Sequence, residues 1–263
     1  MTEVHEEETR LEAWIQATNS VMSDDYKQDV ILHIDSPDEQ HEDTSEVFEE
    51  LNGLYDEADM EPIHTVAEWI FPGWLYTREG MEGVYETYPE QLDDMQHNRW
   101  GTYFERMIKR KDPETGETFN PLKDLIEKMH RANHDGQTFH SCYDIDLSAG
   151  SFGMSLYDPS TDRNKIRGLP CLSHLSFKLY EGDVHLTALY RSHDYRFKVI
   201  GNLLGLARLQ SCVANEVDAG VGQLVVHSSR AMIDDDKPKK GKFTDLVDRW
   251  YRDMNNHSLS AFD

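Results

Sequence analysis

The chain has 263 residues, 38% of them hydrophobic, and its 50 acidic and 26 basic residues give a formal net charge of −24. This charge repels nucleic-acid phosphates and anionic lipid, which argues against a nucleic-acid polymer or a membrane as partner. No apolar run reaches the roughly 20 residues that span a bilayer, and no signal-peptide pattern opens the chain, so we expect a cytoplasmic protein. The acidic excess also suits adaptation to high salt, where screening relieves self-repulsion.

The first predicted elements lie in an acidic N-terminal segment. Residues 1–60 are rich in Glu and Asp and have weak helical periodicity, which predicts a peripheral extension of helix and loop. Residues 62–76 (PIHTVAEWIFPGWLY) are far more apolar and predict a buried helix that the Pro-Gly pair ends. An amphipathic helix comes later, and its apolar face carries Leu122, Leu125, Ile126 and Met129.

Apolar residues begin to alternate after Cys171. The runs LSHLSFKLY and VHLTALYR, joined by EGD, predict a β-hairpin with Cys171 at its entrance. Residues 201–217 are apolar on most faces and predict a buried helix, which the strand GQLVVHSS and a charged surface helix follow. Because no internal repeat is present, we expect residues 61–263 to form one α+β or mixed α/β domain.

The cysteines do not indicate a disulfide framework or a zinc site. Cys142, Cys171 and Cys212 form no CxxC pair, so each is expected to be a reduced thiol. His64 and Glu68 have the i, i+4 spacing of metal ligands on a helix, but the HExxH order is absent. We therefore expect no metal.

Cys171 has two interpretations. A free cysteine usually behaves as a small hydrophobic residue, which favours a buried structural thiol. However, Arg191 and Ser192 end the second strand of the same hairpin, and a guanidinium can both lower a thiol pKa and bind a phosphate with two hydrogen bonds. The second interpretation is therefore a nucleophile beside an anion-binding pair.

A family resemblance accompanies these residues. The order LPC, an alternating hairpin, YRSHD and then GN resembles the core of the thymidylate synthase family, which includes the pyrimidine nucleotide hydroxymethylases. The resemblance covers roughly residues 60–235 and is most specific from 168 to 202. It implies a mixed α/β sandwich in which a large bent sheet is flanked by helices and packs back to back in a homodimer.

The resemblance also implies a role for each matching residue. Cys171 would add to C6 of a pyrimidine deoxynucleotide, and C5 would then take a one-carbon unit from 5,10-methylene-tetrahydrofolate. Arg191 and Ser192 would bind the phosphate, and Asp194 would face the base and the folate. Asn202, whose amide both donates and accepts hydrogen bonds, would recognise N3 and O4 of uracil.

Four further site residues follow from weaker matches. AEWIFPGW is similar to the segment that carries the family's general base, which would be Glu68. RWGTYFERM resembles a segment beside the folate, where Trp100 replaces the usual Tyr. His227 and Arg230 fall near the family's sugar-binding positions. His227 is either a substrate ligand or a satisfied strand histidine, and Arg230 is either a replacement phosphate ligand or a solvated side chain.

The sequence departs from the family pattern in ways that leave the activity open. GQTFHSCYDIDL, the strand before the nucleophile, lacks the family's two adjacent arginines, and with them charge-assisted hydrogen bonds of about 1.5 to 3 kcal/mol each. The usual His beside the nucleophile is also missing, since His174 lies three places after Cys171. A charged helix replaces the strands that close over folate, which favours hydroxymethylation over hydride transfer. The alternatives are therefore a pyrimidine hydroxymethylase and a non-catalytic relative that binds a nucleotide or a protein.

Overall fold

The structure of the chain is a computed structural model that describes residues 2–24, 26–94, 102–111, 115–135, 144–146, 170–234 and 240–260. Its strands are β1 (Glu3–Glu7), β2 (Tyr26–Ile34), β3 (Arg110–Lys111), β4 (Thr118–Phe119), β5 (Asp144–Asp146), β6 (Leu172–Tyr180), β7 (Asp183–Tyr190), β8 (His193–Asp194) and β9 (Gly220–Met232). Its helices are α1 (Arg10–Met22), α2 (Thr44–Glu57), α3 (Ile63–Glu68), α4 (Gly73–Glu82), α5 (Tyr88–Asp94), α6 (Tyr103–Ile108), α7 (Pro121–Asp135), α8 (Val199–Glu216) and α9 (Lys240–Ser260), with a π-helical turn (Gly83–Thr87) before α5. None of these described helices is both long and apolar enough to cross a membrane.

Seven of the described strands form one large mixed sheet in the order β1-β2-β9-β7-β6-β5, with β8 beside β9, and β3 and β4 form a separate antiparallel pair. β1 is parallel to β2 and β7 to β9, whereas the other neighbours along this path are antiparallel. Leu172 at the start of β6 pairs with Tyr190 at the end of β7, which in turn pairs with Ser228 of β9. The start of β6, the end of β7 and the short β8 therefore meet at one end of the sheet.

The predicted hairpin is confirmed. β6 and β7 are antiparallel neighbours joined by Glu181 and Gly182, whose φ angles of 53° and 94° are both positive. Two positive φ angles in a two-residue loop are typical of a type I′ turn, whose twist matches that of the strands it connects. The turn sets the register of β6 against β7 as far as His174, and a bulge between Leu172 and His174 then shifts it by one residue and brings Cys171 beside Arg191.

Helices cover one face of the sheet. Val30, Leu32 and Ile34 alternate along β2 and are fully buried against that layer. Trp14 of α1 is also fully buried, and its indole N–H donates to the carbonyl oxygen of Tyr195 at 2.9 Å. This bond ties the N-terminal helix to the segment that follows β8.

Helix α8 packs very closely against α3. A Cβ atom on Gly201 would lie 2.7 Å from the side chain of Val66, and one on Gly205 would lie 2.7 Å from the carbonyl oxygen of Ala67. Both separations are shorter than real Cβ contacts, so glycine permits this approach of the two backbones. The crossing holds the first turns of α8, which carry Asn202, beside α3.

Two sequence-based expectations need correction. Residues 3–34 do not form a peripheral layer of helix and loop, because β1 and β2 extend the main sheet through β9 and α1 packs in the core. The half-buried positions of β1 and of the first half of β2 carry polar residues such as His5 and Lys27, whereas Val4 and Tyr26 are exposed, so the sequence has no apolar alternation there. In addition, the Pro-Gly pair also begins a helix, since Pro72 is the N-cap residue of α4.

Candidate active site

Cys171 lies half-buried immediately before β6, between helix α6 and the end of β7. Its backbone N–H donates to the hydroxyl of Tyr103 at 3.2 Å, and its carbonyl oxygen accepts from the N–H of Arg191 at 3.0 Å. The adjacent N–H of Leu172 lies 3.5 Å from the same Tyr103 hydroxyl. These bonds fix the backbone that presents the thiol, and they bring Arg191 beside it as the sequence predicts.

The surroundings of the thiol oppose and favour its ionisation at the same time. Burial raises the pKa of Cys171, Arg191 lowers it in part, and Asp194 raises it further. Burial acts most strongly because a thiolate loses more solvation than a neutral thiol. In the free protein Cys171 is therefore a protonated thiol with one cation placed to favour the thiolate.

Arg191 and Ser192 occupy the corner between β7 and β8. Within the described residues the Arg191 guanidinium has no hydrogen-bond or ion-pair partner, which leaves its donors available to an anion. The hydroxyl of Ser192 lies 3.6 Å from the sulfur of Met232, a weak acceptor. Both side chains are half-buried, so a bound anion would be partly desolvated.

Asp194 has a carboxyl group whose pKa is raised. Burial raises its pKa to about 6, although its Oδ1 accepts a hydrogen bond from the N–H of Arg196 at 3.0 Å. The charge of Asp234 raises this pKa as well, and the charge of Lys198 lowers it. The Lys198 ammonium lies 4.5 Å from the centre of the Trp69 ring, so α3 and the start of α8 meet beside this carboxyl group.

Asn202 is 6% exposed and belongs to a buried polar network. Its amide nitrogen lies 2.9 Å from Nε2 of His193, whose Nδ1 lies 3.0 Å from the hydroxyl of Ser228. The Tyr195 hydroxyl approaches the same Ser228 oxygen at 3.2 Å, and the His193 ring stacks on Tyr190 at 3.8 Å between centroids. Burial lowers the pKa of His193 to about 3, so the imidazole is neutral at physiological pH.

The Asn202 amide, with its nitrogen toward Nε2, fixes the tautomer of the neutral His193 ring. An amide nitrogen only donates, so Nε2 of His193 must accept, and the ring proton must then reside on Nδ1 and point to Ser228. One of the two amide N–H groups of Asn202 therefore donates to His193 and is not available to a ligand.

Glu68 ends α3 and faces Arg208 of α8. Its Oε1 accepts from the guanidinium at 2.8 Å, while Oε2 is buried without a hydrogen-bond partner among the described residues. Burial raises the pKa of Glu68, and Arg208 opposes this shift. Nδ1 of His64 lies 3.1 Å from the same guanidinium, so His64 and Glu68 flank an arginine. Both line a cleft of about 740 Å³ whose lining does not include Cys171.

Comparison with known proteins agrees with this architecture. No protein-family model matches the chain. Curated proteins named "Putative thymidylate synthase" match segments of it: that of Methanothermobacter marburgensis is 40% identical over 80 residues, which are 30% of this chain and 35% of the relative. That of Methanosarcina barkeri is 38% identical over 71 residues, 27% of this chain and 33% of the relative. The chain thus matches about a third of the length of these relatives.

The fold is similar to that of thermostable thymidylate synthase A from Bacillus subtilis, with a TM-score of 0.54 and 10% identity over 91% of this chain and 84% of that one. The chain therefore has a thymidylate synthase-like fold. The fold expected from the resemblance, a large mixed sheet flanked by helices, is confirmed.

The thymidylate synthase-like fold brings some of the predicted site residues together and leaves others apart. Cys171, Arg191 and Asp194 interact directly or electrostatically, and Asn202 lies in the first turns of α8, which begins shortly after Asp194. In contrast, His227 pairs with Asp29 at 3.0 Å. The roles assigned to all of these residues stay predictions.

The remaining predicted residues have other surroundings. Arg230 is exposed, with its guanidinium 5.6 Å from the centre of the Tyr26 ring. Within the described residues Glu68 has no hydrogen bond or ion pair with Cys171, Arg191 or Asp194. Trp100 and Cys142 lie outside the described residues.

Sequence reasoning missed two residues that shape this site. His193 stands inside the YRSHD motif, between two predicted substrate ligands, and that position could have drawn attention to it. Tyr103 stands inside RWGTYFERM, but nothing in the sequence indicates that its hydroxyl reaches the backbone of Cys171.

Proposed function

We propose that the chain is a one-carbon transferase of the thymidylate synthase type, which acts on C5 of a uracil-type pyrimidine deoxynucleotide. The observation that carries the proposal is the joint placement of Cys171 and Arg191. The backbone of one is bonded to that of the other at 3.0 Å, and the guanidinium favours the thiolate. A nucleophilic thiol beside a cation with free donors suits a substrate that combines an electron-poor ring with a phosphate.

The chemistry assigned to this chain's own residues is as follows. The Cys171 thiolate forms a bond to C6 of the ring, which makes C5 nucleophilic. C5 would take the one-carbon unit and lose its hydrogen as a proton, and the folate carrier would leave. The new carbon would then receive a hydride from the reduced folate for a methyl product, or hydroxide from water for a hydroxymethyl product, as the sulfur leaves C6 to restore the ring. Arg191 and Ser192 hold the phosphate. When bound, 5,10-methylene-tetrahydrofolate supplies the one-carbon unit.

Asn202 supports the choice of uracil over cytosine. Because His193 takes one amide proton, the remaining N–H and the carbonyl oxygen can meet a partner that offers an acceptor and a donor. Uracil has the acceptor at O4 and the donor at N3–H, whereas cytosine reverses the two, with a donor at its amino group and an acceptor at N3. An amide held in one orientation can therefore pair with only one of the two bases. Among residues proposed to contact folate, Asp194 is a half-buried hydrogen-bond acceptor that suits the N–H groups of a reduced pterin ring, with Trp100 as a second contact.

The proposal includes a homodimer formed through the outer face of the sheet. Ile31, Leu189 and Val225 occupy strand positions that alternate with core residues, so they lie on the face opposite the core. They are half-buried apolar side chains on neighbouring strands, a composition that supports packing against a second sheet. A cytoplasmic location and adaptation to high salt belong to the same proposal and rest on the sequence alone.

Two alternatives have specific support. A hydroxymethyl product would require the same residues and differ only in the last step. A non-catalytic relative is favoured by the raised pKa of Cys171, because a protonated thiol is a poor nucleophile.

The test is release of tritium to water from 5-tritiated deoxyuridine monophosphate, with and without methylene-tetrahydrofolate. Cys171→Ala should abolish release, while Cys212→Ala, which removes another described thiol, should retain it. Mass spectrometry of the product separates a methyl from a hydroxymethyl group. Absence of release at low and at high salt, from this substrate and from the tritiated cytidine nucleotide, would leave the non-catalytic alternative.

A further inference from the structure

We propose that His130, His134 and Asp218 form a binding site for one divalent transition-metal ion, with Zn²⁺ as the expected occupant. Nε2 of His130 lies 3.5 Å and Nε2 of His134 lies 3.2 Å from the same oxygen, Oδ2 of Asp218. All three donor atoms lie within 4.8 Å of one another. This site is separate from the Cys171 group and does not depend on the proposed transferase activity.

The local sequence explains why the two imidazoles lie side by side. His130 and His134 are four residues apart on α7, so they occupy successive turns on one side of the helix. The centres of the two rings are 4.2 Å apart. The apolar face of α7, which includes Leu122 and Met129, is buried, and this packing holds the helix while both histidines stay exposed.

The third donor comes from the turn between α8 and β9, and that turn is anchored to α7. The side-chain amide of Asn133 donates to the carbonyl oxygens of Val217 and Asp218, at 2.9 and 3.2 Å. Asp218 has a φ of 55°, and its N–H donates to the carbonyl oxygen of Asn215 at 3.3 Å. Its backbone is therefore held from two sides, which directs the carboxylate toward the histidines before any ion arrives.

The separations suit a small ion. A tetrahedral Zn²⁺ with ligands at about 2.0 to 2.1 Å requires ligand atoms about 3.3 Å apart, close to both of the His–Asp distances. Two imidazole nitrogens and one carboxylate oxygen suit Zn²⁺, Ni²⁺ or Cu²⁺ better than Mg²⁺ or Ca²⁺, which prefer oxygen ligands throughout. Water would complete the coordination, since all three side chains are exposed.

A simple ion pair is the competing explanation. A protonated histidine would also lie near Asp218, but two imidazoles would then share one carboxylate oxygen and repel each other. Exposed pairs of that kind contribute little to stability. A bound ion instead attracts all three groups and links α7 to the turn after α8, so it should raise the melting temperature by mass action.

The experiment is calorimetric titration of the 263-residue chain, without a histidine tag, with Zn²⁺ at about pH 7.5. His130→Ala, His134→Ala and Asp218→Asn each remove one ligand or its charge. His41→Ala is the matched control, because Nδ1 of His41 lies 3.6 Å from Asp43, a carboxylate that pairs with no second histidine among the described residues. Circular dichroism without metal establishes that each variant is folded.

We expect one Zn²⁺ per chain, with affinity reduced about tenfold or more in each of the three variants and unchanged in His41→Ala. Co²⁺ should give the visible absorption of a nitrogen- and oxygen-ligated ion in the parent only, and Mg²⁺ should not compete. The proposal fails if the parent binds no Zn²⁺. It also fails if the folded variants bind as tightly as the parent, since the ion would then occupy other residues.

Discussion

The amide nitrogen of Asn202 lies 2.9 Å from Nε2 of His193, so a residue predicted to recognise the pyrimidine is held by a buried, neutral histidine. His193 is 2% exposed and has a hydrogen-bond partner on each ring nitrogen. The buried network at this end of the sheet therefore holds the Asn202 amide in place. Folding stability and the proposed substrate selection depend on the same network, and the pH dependence of folding can report on it.

The network predicts a loss of stability at acidic pH. His193 has a pKa of about 3 in the folded protein and about 6.5 when unfolded, so the unfolded chain binds the extra proton between these values. The stabilising contribution of neutral His193 to the free energy of unfolding is therefore complete above pH 6.5 and falls as the pH drops toward 3. His193→Asn should cost about 1 to 3 kcal/mol at pH 7.5, because Ser228 and Asn202 lose a partner.

The pH dependence of that difference is the sharper test. The gap between parent and His193→Asn, measured by chemical denaturation, should narrow by up to about 1.4 kcal/mol per pH unit below 6.5. A gap that stays constant from pH 7.5 to 5 would contradict the assignment of a buried neutral imidazole.

Asp194 should act in the opposite direction. Its folded pKa of about 6 lies above the ordinary value of 3.8, so its stabilising contribution is present below pH 3.8 and is lost as the pH rises through 6. Asp194→Asn keeps an oxygen acceptor for the N–H of Arg196 but removes the charge. We expect this variant to be more stable than the parent by about 1 to 3 kcal/mol at pH 8, and equal to it near pH 4. Chemical denaturation at both pH values checks this, and a destabilised variant at pH 8 would show that the carboxylate is needed for the fold.

Much of the fold could be predicted from the sequence where a pattern is local. The hairpin followed from alternation and the EGD turn, and α8 from its continuous apolar run. The place of β1 and β2 in the sheet could not be predicted, because β2 pairs with β9, roughly 200 residues away in the chain, and β1 joins the sheet through β2. Polar residues at half-buried positions also hide the alternation in β1.

The candidate site divides in the same way. Cys171, Arg191 and Asp194 lie in one continuous motif, so their proximity follows from the hairpin register. The contact between Glu68 and Arg208 depends on how α3 crosses α8, and a crossing between distant helices leaves no local pattern. His193 was within the motif, but its burial depends on the helices that cover the sheet.

The crossing of α3 and α8 gives a prediction with an internal control. Gly205→Ala would place a Cβ atom 2.7 Å from the carbonyl oxygen of Ala67, which is backbone and cannot move aside cheaply. We expect a loss of about 1 to 3 kcal/mol in the free energy of unfolding. Gly53→Ala, in α2 with nothing within 4 Å of the new Cβ, should instead gain about 0.5 to 1 kcal/mol. Thermal denaturation of the two variants checks the contrast, and similar effects would mean that the close approach is absent.

The electrostatics of Cys171 can be tested without any substrate. Arg191 favours the thiolate and Asp194 disfavours it, so Arg191→Ala should raise the pKa of the Cys171 thiol and Asp194→Asn should lower it. The measurement is the rate of alkylation by iodoacetamide as a function of pH, followed at the Cys171 peptide by mass spectrometry.

Cys212, which is 1% exposed, should react slowly throughout and serves as an indicator of unfolding. Arg230→Ala removes an exposed arginine that stacks on Tyr26 and should leave the Cys171 profile unchanged. Shifts of the same sign in the Arg191 and Asp194 variants would mean that altered burial, and not charge, controls this thiol.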